Sequence, residues 1–169
     1  MRSWIPRLVV ASAFVAALQL SIFSPVRVGG VVVMLVWLWP VAVGLRGGLR
    51  PALLAAGVSG FFVDAQLATP LGLLTIVTLA IGYVAGVLGR EGVGDFGSSA
   101  WWVAPAIGAG IGFVAPLVFA FTGLVIGNFG LWHGNLGNAM VVNALAFFLL
   151  TRPLGRVARW LAGDLGDLR

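Results

Sequence analysis

The sequence predicts an all-α integral membrane protein built as a bundle of six transmembrane helices. Three observations carry that expectation. The 169 residues are 60% hydrophobic and only 9% charged, where soluble domains average roughly 25% charged residues. The mean hydropathy is +1.08. The apolar residues fall into six runs, about 6–23, 28–45, 51–66, 71–89, 101–127 and 136–151, with the charges gathered at their ends. These runs make one membrane domain, 1–151, followed by an amphipathic basic tail, 152–169.

The first run follows Arg2 and Arg7 and resembles a signal peptide, but Ser21-Ile22-Phe23-Ser24-Pro25 offers a poor cleavage site, so it reads as a retained span. The second carries Trp37, Trp39 and Pro40, and proline inside a helix predicts a kink near 36–40. Pro51 opens the third run as an early helical residue. That run of sixteen residues reaches only ~24 Å at ~1.5 Å per residue, short of a ~30 Å hydrocarbon core. The fourth is a full span with Thr75, Thr78 and Gly82-x-x-x-Gly86, a spacing that lets another helix approach closely. Pro105, Pro116, Gly108 and Gly112 predict kinks and close packing in the fifth. The sixth holds Asn138 and Asn143. Beyond Arg152-Pro153, Leu154, Val157, Ala158 and Leu161 share one helical face and Arg152, Arg156 and Arg159 another, the pattern of a helix lying in the membrane interface.

All ten basic residues are arginines, and the sequence pI is about 11.6. They stand singly at the ends of apolar runs, which excludes the nucleic-acid reading that such a pI invites and points to topology. With six spans, Arg2, Arg7, Arg46, Arg50, Arg90, Arg152, Arg156, Arg159 and Arg169 share one side, and Arg27 alone takes the other. The positive-inside rule then puts both termini in the cytoplasm.

The stretch Gly57 to Gly72, GVSGFFVDAQLATPLG, closes the third run on Asp64 and turns through Gln66, Thr69 and Pro70. Asp64 is the one acid flanked by apolar sequence on both sides. A carboxylate at bilayer depth costs roughly 2.5–3.5 kcal/mol on insertion scales, so it faces helices or water. Two readings stand: a partly wetted acid capping the turn near the membrane surface, or a polar anchor for packing or partner binding.

Enzyme chemistry is poorly supplied. No cysteine is present, which excludes disulfides, thiolate metal sites and cysteine nucleophiles. The single histidine, His133, has no acid near it in sequence and reads as an interfacial residue, not a general base. No spacing of His and acids resembles a metal site, and Gly108-x-Gly110-x-Gly112 lies in an apolar run where packing outweighs anion binding. No cofactor is expected. Asn143, mid-span, seeks a hydrogen bond from Thr75, Thr78 or Ser59, or lines a small-molecule pocket. The arginines of the tail face anionic lipid headgroups or a cytoplasmic protein.

The third run ending in Gly-Phe-Phe-Val-Asp, the turn and the glycine that opens the next run resemble the bacterial rod shape-determining MreD family. The residues that carry the resemblance are Gly57, Gly60, Asp64 and Gly72, then Leu73, Leu74, Gly82, Tyr83 and Gly86. It is strongest over 51–89, and elsewhere rests on the layout of runs. The resemblance implies a fold similar to the substrate-binding subunits of energy-coupling-factor transporters. It also implies a non-enzymatic subunit of the cell-elongation machinery in the inner membrane. Implied partners are the bitopic protein MreC, with RodA, a class B penicillin-binding protein and MreB alongside. The alternative is the substrate-binding membrane subunit of a vitamin or metal transporter, which would need an outward polar cavity built from Gln19, Asp64, Gln66, Asn135 and Asn138.

Overall fold

A computed structural model describes residues 4–66, 72–90, 101–127 and 135–162. Six α-helices account for nearly all of it: α1 (Trp4–Leu18), α2 (Leu35–Gly47), α3 (Leu49–Asp64), α4 (Leu73–Arg90), α5 (Val103–Val125) and α6 (Leu136–Ala162). The last turns of α1 widen into a π-helical segment, Gln19–Phe23. A short antiparallel ribbon pairs β1 (Arg27–Val28) with β2 (Val31–Val32).

Five helices surround the sixth. In order around the bundle α1, α3, α4, α5 and α6 touch their neighbours, and α6 returns to α1 to close the ring. Helix α2 runs through the middle and touches all five. Every one of its residues is buried, Trp37 and Trp39 included. Its 13 residues span only ~20 Å at ~1.5 Å each. Its neighbours enclose it, so its backbone is satisfied and shielded within the protein whatever its length.

Three helices are long and apolar enough to cross a membrane: Trp4–Phe23, Val103–Val125 and Leu136–Trp160. Leu35–Gly47 and Leu73–Gly89 are apolar but shorter. Large apolar side chains such as Phe113, Phe121, Leu145 and Leu149 point outward from α5 and α6, as a lipid-facing surface requires.

Two boundaries differ from the expectation. Residues 28–32, read as the start of the second run, form the hairpin instead. Its two-residue loop is Gly29-Gly30, with φ of +59° and +83°; a type I′ turn needs positive φ at both positions, which glycine adopts without a Cβ penalty. The arginine-rich segment after Pro153, read as a separate interfacial helix, is the last part of α6. Proline removes one backbone donor, yet packing of this segment against α2 carries the helix through it. Between α2 and α3 the chain turns on Gly48 alone, at φ +76°, where its N–H reaches Gly44 O at 2.9 Å. Thr69, Pro70, the loop 91–99 and His133 lie outside the described residues.

Candidate functional site

Three of the buried polar side chains, Asp64, Gln19 and Asn143, do one job in common: each closes the open end of a neighbouring helix. The first N–H groups of a helix have no partner inside it, and at membrane depth there is no water to supply one. Asp64, the last residue of α3, is 1% exposed. One carboxylate oxygen accepts from Leu74 N at 3.1 Å. The other accepts from Thr75 N at 2.8 Å and from Thr75 Oγ1 at 2.5 Å. Gln19, from the π-helical end of α1, accepts Leu35 N at 2.6 Å and Val36 N at 3.3 Å at the start of α2. Asn143 of α6 accepts Met34 N at 2.9 Å and returns its own amide to Ala139 O.

Asp64 is thus both a cap and an anchor, and it is not wetted: the acid lies in the α3–α4 contact itself. Asn143 does not meet Thr75, Thr78 or Ser59. Thr75 binds Asp64, whereas Thr78 and Ser59 donate back to carbonyls of their own helices, Leu74 O and Ala55 O. The partner of Asn143 lies 109 residues away in sequence.

Glycines set how closely the helices approach. A methyl group at Gly82 would lie 2.9 Å from Ala56 Cβ, and one at Gly86 would lie 2.7 Å from Leu49 Cα. At Gly60 it would meet Thr75 Cα at 2.9 Å and Thr78 Cβ at 3.4 Å. Gly44 of α2 meets the backbone of α4 in the same way, at Gly86 N. These contacts join α2, α3 and α4 into one closely packed block. A second seam, Gly108 against Thr151 and Gly112 against Phe147, joins α5 to α6. Gly57 is looser, 3.8 Å from Leu79 Cδ2, and Gly72 opens α4 at φ +97° with open space around it. Gly60, Gly82 and Gly86, candidates for packing or partner binding, serve packing within the chain. Helices of the same chain already cover all three.

One end of the bundle is strongly basic. Arg46, on the last turn of α2, is 8% exposed and lies in the field of Arg152, Arg156 and Arg159 of α6. Gly155 makes this approach possible, since a methyl group there would lie 2.5 Å from Arg46 Nε. The guanidinium of Arg152 sits 5.7 Å from the centre of the Trp101 ring. Trp101 and Trp102, just before α5, and Trp160 on α6 are all more than half exposed. Exposed tryptophan beside arginine is the composition of a membrane–water interface.

The opposite end holds a small cavity of about 240 Å³ beneath the hairpin, with Asn135, Asn143 and Trp37 among its walls. It has room for several water molecules. The five polar residues required by the transporter reading do not converge on it: Gln19 and Asp64 each close a helix end, and Gln66 and Asn138 are exposed. Among the described residues Asp64 is the only acid, and no group of three or more His, Cys, Asp or Glu could hold a metal. Sequence reasoning missed Gln19 and Arg46 as structural residues; a polar residue next to a π-turn and an arginine at a helix end carry no local sign of a partner across the bundle.

No family model, no curated protein and no solved structure matches this chain.

Proposed function

We propose that this chain is a non-enzymatic scaffold subunit of the bacterial cell-elongation complex, an MreD-type protein that supports lateral wall synthesis by binding the bitopic partner MreC. The observation that carries the reading is the stretch 57–72 that resembles that family. Its acid, Asp64, accepts from the first turn of the helix that follows. An acid in that position works as a structural lock, which suits a chain acting through its shape. In this reading all six helices cross the inner membrane, both termini are cytoplasmic, and the basic end faces the cytoplasm. RodA, a class B penicillin-binding protein and MreB are further members of the assembly.

Depletion of the chain in its own bacterium tests this reading. The expected result is that rod cells widen and round up while insertion of new wall along the flanks falls. Unchanged cell width, with loss of uptake of a vitamin or metal ion, would contradict it.

A further inference from the structure

Between α1 and α6 the ring around α2 leaves a groove of about 1000 Å³. Leu35 and Trp39 of α2 form its floor, Val10 and Phe14 one wall, and Leu154 and Val157 the other. Val10 and Phe14 are 68% and 62% exposed. Among the described residues Arg7 is the one charged residue that lines it, and Trp160 lines it too.

We propose that this groove is a specific binding site for an anionic phospholipid, with an acyl chain along the groove and the phosphate on Arg7. Length separates a lipid from a partner helix. From Arg7 to Leu18 the wall of α1 runs ~16 Å at ~1.5 Å per residue, about half of a ~30 Å hydrocarbon core, so the groove serves one leaflet. A membrane-spanning partner helix would need a track through both. Charge selects the headgroup. Arg156 and Arg159 stand on the α6 turns that carry Val157 and Trp160 of the groove, and share a field with Arg46 and Arg152; basic pockets between membrane helices hold anionic headgroups. A zwitterionic lipid gains little from that field. The site stands independently of any protein partner.

The test uses the full-length protein in mild detergent, exchanged against phosphatidylglycerol or phosphatidylcholine, with bound lipid counted by native mass spectrometry. Phosphatidylglycerol is expected to be retained at one per chain, and Arg7→Gln to lower that retention about five-fold, the share of one charge at a membrane surface. Arg27→Gln, at the opposite end, is expected to leave it unchanged. Arg7 and Arg27 are both exposed, so both variants fold, and size-exclusion profiles verify this. A photo-crosslinking residue at Val10, irradiated in native membranes, is expected to give a lipid adduct. Equal retention of the two lipids, equal loss in the two variants, or a peptide adduct at Val10 would each overturn the proposal.

Discussion

Asp64 Oδ2 accepts both the backbone N–H of Thr75, at 2.8 Å, and its hydroxyl, at 2.5 Å. Two residues eleven apart in sequence thereby tie the end of one helix to the start of the next. Side-chain chemistry thus joins α3 to α4 directly.

Removing the acid should therefore cost far more than removing the hydroxyl. Asp64→Ala leaves two buried N–H groups, Leu74 and Thr75, without an acceptor, and should destabilise the protein by about 2–3 kcal/mol. Thr75→Val loses only the hydroxyl bond and should cost about 1 kcal/mol. Asp64→Asn keeps one side-chain acceptor and should fall between the two. Thermal unfolding in a single detergent ranks all three; an Asp64→Ala variant as stable as the parent would remove the lock.

The glycine seam predicts a graded response to added bulk. Gly82→Leu and Gly86→Leu place a side chain where Ala56 and Leu49 already stand, at 2.9 and 2.7 Å from the first added carbon. Both should lose the folded protein, since overpacking by far smaller groups costs about 1–3 kcal/mol. Gly110→Ala meets nothing within 4 Å and should be neutral or stabilising by up to about 1 kcal/mol through helix propensity. Yield of monodisperse protein and its unfolding temperature provide the check.

Asn143 and Gln19 are expected to behave as caps, with effects that depend on shape as well as polarity. Gln19→Leu deprives Leu35 and Val36 of an acceptor, and Asn143→Leu deprives Met34. Each should cost about 1–3 kcal/mol, the price of a buried donor left unpaired. Hydrogen exchange should also quicken at residues 34–36 in both variants, whereas a change that merely loosened packing would spread across α2.

Most of the helical layout was legible in the runs of apolar residues, and its failures are instructive. Helix α5 falls inside the run 101–127 and α4 within a residue or two of 71–89. The hairpin was hidden because Val28, Val31 and Val32 are as apolar as a span, although the paired glycines between them carry a type I′ signature. Arg152-Pro153 read as a stop, yet Thr151 and Gly155 fix that stretch against Gly108 and Arg46. No local pattern shows contacts of that range. For the site, Asp64 was visible because it interrupts apolar sequence, and the close approach at Gly82 and Gly86 was visible in their spacing. The pairing of Asn143 with Met34 was not, since its partner is a backbone N–H that any residue could supply.

The absence of cysteine makes topology directly measurable. Val26→Cys and Trp160→Cys are both at exposed positions, 53% and 82% accessible. An impermeant maleimide applied to intact spheroplasts should label the first and reach the second only after permeabilisation. Labelling of both from outside would refute six spans with cytoplasmic termini.

The most direct measurement of the central claim is affinity capture of the tagged chain from its native membranes, followed by quantitative mass spectrometry. The account predicts a single-span bitopic protein recovered in stoichiometric amount, accompanied by a wall-synthesis polymerase. Recovery instead with a transport ATPase and a bound vitamin or metal ion, and with no bitopic partner, would contradict it.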